Sequence, residues 1–125
     1  ISDNVTGLVW QKCMNGLSGA SCTGTVTTLD WNAAINYCNT LNLGGRTWRL
    51  ANLNELTSLV DYTKTTSPAI NTTFFPGTPV GDTNSSTTNI LGPTVPFSVN
   101  FSSGGANYNS AKTSAIQHRC VSGGI

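Results

Sequence analysis

Charge is what this chain has least of. Only 9% of its residues are charged and the formal net charge is +1. So weak a field neither gathers nucleic acid nor holds an anionic membrane surface, which makes polyanions poor partners. Histidine occurs once, at His118, and glutamate once, at Glu55. The four cysteines include no CxxC pair, and almost no histidine is present to share a metal with them. No GxSxG elbow, phosphate-binding glycine loop or closely spaced pair of carboxylates occurs. No enzyme and no cofactor is therefore expected. His118, flanked by Arg119 and Cys120 in an expected strand, reads as structural rather than as an acid-base group. The acids are only Asp3, Asp30, Glu55, Asp61 and Asp82, so no metal site is expected. Were a cation to bind, Asp82 with Asn84 is the first place to look. Also missing are a charged leader and an apolar run of transmembrane length, so this segment is not expected to insert directly into a membrane. The chain opens in a strand-like pattern and reads as an excised domain or processed form of something exported.

What is abundant is the small polar side chain: 19 Thr, 13 Ser and 14 Asn among 125 residues. They give a neutral surface of hydroxyls and amides, suited to contact with a ligand outside the cell. The length fits one domain, 1–125, that buries roughly two-thirds of the surface its unfolded chain exposes. The even cysteine count is better explained by disulfides than by metal, and so by an oxidising compartment. Three pairings are open. The favoured one joins Cys13 to Cys22 across a short Gly/Ser loop, and Cys38 to Cys120 between the first helix and the last strand. On a chain-entropy argument these closures contribute about 3 and about 4 to 5 kcal/mol.

Along the chain, Val5, Leu8, Val9 and Trp10 around a Thr-Gly turn predict a first strand, with Trp10 in the core. A loop over 13–29 follows, with a short strand at Thr25 to Leu29. Asp30 is placed to cap a helix whose apolar face is Trp31, Ala34, Ile35, Cys38 and Leu41, and Gly44-Gly45 ends that excursion. Asn52 with Glu55 three residues on is a capping-box pattern. It opens a second helix with Leu53, Leu56, Leu59 and Val60 as its buried stripe, ending near Asp61. Glu55 is thus assigned a capping role. Beyond Tyr62 the prolines predict an irregular segment pinned by Ala69, Ile70, Phe74 and Phe75. Residues 77–96 read as a long exposed loop with one strand around Ser86 to Ile90, and long ordered loops are where function concentrates. Phe97, Val99 and Phe101, the Gly104-Gly105 turn and a final strand from Ala115 to Val121 complete a closing hairpin.

The ordered series NVTGLVW, DWNAAINYC, LGGRTWRLANLNELTSLVD, SPAI followed by FF, SST, VNF and RCV resembles the Lcl C-terminal domain family, named after a Legionella collagen-like adhesin. The resemblance covers nearly the whole chain. It implies an α+β, C-type lectin-like fold: two helices packed on twisted antiparallel sheet, with a long irregular loop. In that fold a disulfide joins helix to last strand, which the Cys38 to Cys120 pairing resembles. Two departures stand out. The family's aromatic pair before the Ser-Ser/Thr motif is Thr83-Asn84 here, and its proline after Trp-Arg-Leu is Ala51. The Glu-Pro-Asn and Gln-Pro-Asp loops of calcium-dependent lectins are missing. Formylglycine-generating enzymes share the fold, but fold analogy alone confers no activity.

The resemblance implies a secreted or cell-surface module for ligand binding and adhesion, meeting glycans or host matrix. Its namesake suggests sulfated polysaccharide, which a net charge of +1 disfavours. Amides and hydroxyls with one aromatic face are what a neutral sugar needs. Asn84, Thr87 and Asn89 of the long loop, with Asn107, Tyr108 and Asn109 of the closing hairpin, are the candidate ligand-binding residues. Two alternatives are a structural subunit of a surface fibre or pilus, where the chain would form homo-oligomers, and a receptor-binding protein diversified by a retroelement. The partner expected of the domain is a glycan or a surface-protein ligand.

Overall fold

The computed structural model describes residues 1–88, 91–92, 94–108 and 111–123. It is an α+β structure of two helices and three small sheets. In chain order the elements are β1 (Val9–Trp10), β2 (Leu17–Ser18), β3 (Thr23–Gly24), α1 (Trp31–Thr40), β4 (Arg49–Leu50), α2 (Leu53–Ser58), β5 (Asp82–Thr88), β6 (Pro96–Asn100), β7 (Gly105–Asn107), β8 (Gln117–His118) and β9 (Cys120–Ser122).

Both helices begin as their sequences dictate. The Asp30 carboxylate accepts from the Ala33 amide at 2.8 Å, satisfying a first-turn N–H of α1 that has no partner within the helix. At α2 the box is complete: Asn52 Oδ1 accepts from the Glu55 amide at 2.8 Å, and Glu55 Oε1 accepts from the Asn52 amide at 2.9 Å. Glu55 also receives both terminal nitrogens of Arg49, at 2.7 and 2.6 Å. Burial by itself raises the Glu55 pKa, but the Arg49 guanidinium and the Asn52 amide outweigh it and hold the carboxyl below its ordinary value. That stability is present above the unfolded carboxyl pKa of roughly 4.3 and is lost as pH falls through the lower folded value. Glu55→Ala is expected to cost about 1 to 2 kcal/mol at neutral pH, read from urea unfolding. The difference from the wild type should shrink toward pH 3.

α2 is shorter than its apolar stripe predicts. The Leu59 and Val60 amides bond back only three residues, to Leu56 and Thr57, and the Asp61 amide leaves the helix for the Ala69 carbonyl at 2.8 Å. A tightened last turn thus carries Leu59 and Val60 onto the core without continuing the helix.

The sheet β1-β9-β4 partitions two cores. Alternate residues of a strand face opposite ways, so paired Trp10 and Val121 enter one core and paired Leu50 and Cys120 the other. The first core gathers Leu8, Trp10, Leu56, Ile70, Phe75, Val99 and Phe101. The second holds Ala34, Cys38, Trp48, Leu50 and Cys120, with Ile35 and Leu41 packed against it. The disulfide Cys38–Cys120 ties α1 to β9, and Cys13–Cys22 closes the loop that holds β2, just before β3 pairs with it. Both favoured pairings are therefore present.

Several expectations change. Val5 is 95% exposed, so the opening strand reduces to Val9–Trp10 plus a single bridge from Ser2 to Val9. The strand placed at Thr25 to Leu29 is β3 at Thr23–Gly24, with Leu29 making one isolated bridge to Ile116. The final strand breaks at Arg119, whose side chain turns inward. Residues before it, in β8, pair in parallel with β5, and residues after it, in β9, pair with β1 and β4. The closing hairpin is consequently β6 with β7, turned through Phe101–Gly104, and the larger sheet, β7-β6-β5-β8, is mixed rather than wholly antiparallel. Gly104 makes that turn at φ +84°, and a Cβ there would stand 2.5 Å from Val60 Cγ1.

The largest correction concerns residues 77–96. Within them, Asp82–Thr88 form a strand between β6 and β8, and Thr83, Asn84 and Ser85 are completely buried. Neighbouring elements satisfy the side chains of Thr83, Ser85 and Thr87, while the Asn84 amide finds no partner. Ser85 Oγ donates to the Phe97 carbonyl at 2.6 Å, Thr83 Oγ1 accepts from Gln117 at 3.3 Å, and Thr87 Oγ1 accepts from the Leu53 amide of α2 at 3.0 Å.

Candidate functional site

The six residues singled out by sequence do not form one surface. Asn89 and Asn109 lie outside the described residues. Asn84 is enclosed in the protein, opposite Ser98 of β6 and His118 of β8. Directly opposed residues share a face, so Asn107, Ser98, Asn84 and His118 make one row across the sheet. Both polar atoms of the Asn84 amide lack a hydrogen-bond partner. Thr87 is half-buried and occupied with the first amide of α2. A solvent-facing contact role for Asn84 is thus replaced by an interior one.

Asn107 and Tyr108 do reach the surface, at the β7 edge of the larger sheet. Tyr108 is 58% exposed and meets the Phe97 ring edge-on, with centroids 5.9 Å apart. Asn107 Nδ2 donates to Asp82 Oδ1 at 2.9 Å, and its backbone carbonyl accepts from Ser98 Oγ at 3.5 Å. Alternation puts Tyr108 on the other face of the hairpin from Asn107, so one face presents a phenol braced by a second aromatic ring and the other an amide held by a carboxylate. This arrangement can stack on an apolar face and exchange directional hydrogen bonds. Phe97 was missing from the expected set, because its place in an alternating apolar run marks it as core.

The neighbouring contacts hold this edge to the rest of the fold. Ser85, which bonds Phe97, also accepts the Trp31 indole N–H on its carbonyl at 2.9 Å. Lys112 stands 3.9 Å over the Trp31 ring, so one of the few cations is spent on an aromatic face. Of the pair named for a cation, Asp82 bonds Asn107 and Asn84 is buried. Among the described residues no cluster of three potential metal ligands occurs.

His118 is buried, with Asn15 Nδ2 at 3.5 Å from its Nε2 and the Tyr37 ring edge-on at 5.2 Å. Burial lowers its pKa, only partly countered by the Ile116 carbonyl, so the neutral ring is the favoured form at pH 7. Among the described residues no helix is long and apolar enough to cross a membrane.

Searches among curated proteins and among solved structures find no match. The family model described as the Lcl C-terminal domain matches residues 1–122, and with nearly the whole length covered, this chain belongs to the Lcl C-terminal domain family.

Proposed function

We propose that this domain is a non-enzymatic adhesion module, displayed outside the cell, that contacts glycans or host matrix through the exposed end of the β6–β7 hairpin. The observation that carries the reading is the exposed Tyr108 ring braced by Phe97 at the β7 edge, an aromatic face whose phenol can also exchange hydrogen bonds. Family membership and two disulfides, compatible with an extracellular or surface location, support it. A C-type lectin-like architecture is part of the same proposal. It is supported by the pairing of β1 with β9 and by the cystine from α1 to β9.

The test is an array of neutral and sulfated glycans and matrix proteins, probed with the wild type and Tyr108→Ala, with and without chelator. Binding is expected to persist in chelator and to weaken at least about tenfold in Tyr108→Ala, a loss of about 1.4 kcal/mol. Silence across the array, or binding indifferent to Tyr108, contradicts the proposal.

A further inference from the structure

A turn inside the first disulfide loop carries chemistry of its own. Asn15 and Gly16 are the one asparagine–glycine pair in the sequence. They fill the centre of a turn closed by the Leu17 amide, which donates to the Met14 carbonyl at 2.9 Å. The Asn15 carbonyl accepts from the Thr27 amide at 2.8 Å, while among the described residues no acceptor engages the Gly16 amide. Gly16 is exposed, with φ at +95°, and a Cβ on it would run into the Thr25 carbonyl oxygen. Position 16 therefore has to be glycine, and no side chain shields its nitrogen from the Asn15 amide before it.

The Asn15 side chain is half-buried, and its Nδ2 stands 3.5 Å from His118 Nε2. An amide and an imidazole thus join this loop to β8. The groups around His118 bear no charge at neutral pH: Asn15 of the loop, the Tyr37 ring of α1 and Asn84, opposite on β5. Arg119 follows in sequence, but its guanidinium turns away to the Gln11 and Lys12 carbonyls and to Thr78. Among the described residues no carboxylate pairs with the ring. An acid in place of the Asn15 amide would supply one.

We propose that Asn15 is a self-modification site, where the side-chain amide converts to a carboxylate and puts charge into the contact with His118. The Gly16 nitrogen attacks Asn15 Cγ and closes a five-membered succinimide. The bond from Cγ to Nδ2 breaks, and Nδ2 departs as ammonia with the proton that the Gly16 nitrogen gives up. Water then opens the ring. Attack at Cγ restores the main chain with aspartate at position 15, and attack at the backbone carbonyl leaves isoaspartate. Water is the only reagent consumed, and nothing is oxidised or reduced. Isoaspartate lengthens the main chain by one carbon in a turn held to Thr27 within a disulfide-closed loop, so aspartate is the product that fits the native turn. Its carboxylate favours the protonated ring, and an ion pair replaces a neutral contact between the loop and β8. The change runs one way, so the contact passes from neutral to ionic as the molecule ages.

With a single histidine in the chain, the imidazole NMR signals report His118 alone. Folded, disulfide-bonded protein is kept warm at mildly alkaline pH, and samples taken over time are reduced, cut by trypsin after Lys12 and fragmented in a mass spectrometer. The mass gain of an amide turned acid is expected at Asn15 before any other asparagine. In the aged wild type and in Asn15→Asp, the His118 signal should titrate at higher pH than in fresh protein. Asn15→Gln keeps an amide and closes the larger ring slowly, so its mass at position 15 and its low titration point should both persist. The proposal is overturned if Asn15 holds its amide through the time in which the reduced, unfolded chain loses it, or if another asparagine converts first. It is equally overturned if aged protein carrying the new acid titrates His118 where fresh protein does. Should Asn15→Asp fail to fold, the aged wild type still gives both readings.

Discussion

Replacing Cys38 and Cys120 together by alanine is expected to lower the free energy of unfolding by about 4 to 5 kcal/mol, most of the stability of a modest domain. The bond joins residues 82 apart, so it removes a long loop's freedom from the unfolded chain. Both sulfurs belong to completely buried residues in the core beneath α1. The double variant therefore also loses packing between Ala34, Trp48 and Leu50. Cys13–Cys22 joins residues only nine apart at a loop, and its removal should cost about 3 kcal/mol. Urea midpoints of the two double variants decide the matter. Equal losses, or a larger loss at Cys13–Cys22, would refute the view that the staple from α1 to β9 is the stronger of the two constraints.

Arg119→Ala is expected to cost about 3 to 5 kcal/mol, although the residue touches no proposed ligand. Its side chain is buried, and it donates to the carbonyls of Gln11 and Lys12 at 2.6 and 2.8 Å and to Thr78 Oγ1 at 2.9 Å. The guanidinium also lies 4.8 Å from the centroid of the Phe75 ring. Burial pushes its pKa down to about 9, which leaves it charged at neutral pH. Oxygens of the backbone and a hydroxyl, rather than a carboxylate, hold this cation. Truncation would strand those acceptors and open a cavity next to the first core. Arg119→Lys should recover only part of the loss, because one ammonium cannot reach all three oxygens in the fork geometry of arginine. Thermal unfolding of both variants is the check, and a shift for Arg119→Ala no larger than for an exposed substitution would contradict it.

How much of this was legible beforehand follows from the range of the interactions involved. The helices were, because Asp30 and the Asn52–Glu55 pair act on amides within three residues. The cystines were legible as pairs, though not as geometry. β5 was legible only at Ser86–Thr88, the described part of the strand expected around Ser86 to Ile90: Thr83, Asn84 and Ser85 look like loop residues until β6 and β8 pair with them from a distance. The break at Arg119 was hidden for the same reason, since Gln11, Lys12 and Thr78 are remote in sequence. Of the candidate site, Tyr108 and Asn107 were singled out from a turn and composition, and both lie at the surface of the β7 edge.

The most direct test of the adhesion account is an amide chemical-shift map of the strongest ligand from the array. The account predicts a footprint that includes Asp82, Phe97, Asn107 and Tyr108, while α1 and the Cys38–Cys120 platform keep their free-state shifts. A footprint confined to the outer faces of α1 and α2, with the hairpin unmoved, would contradict it.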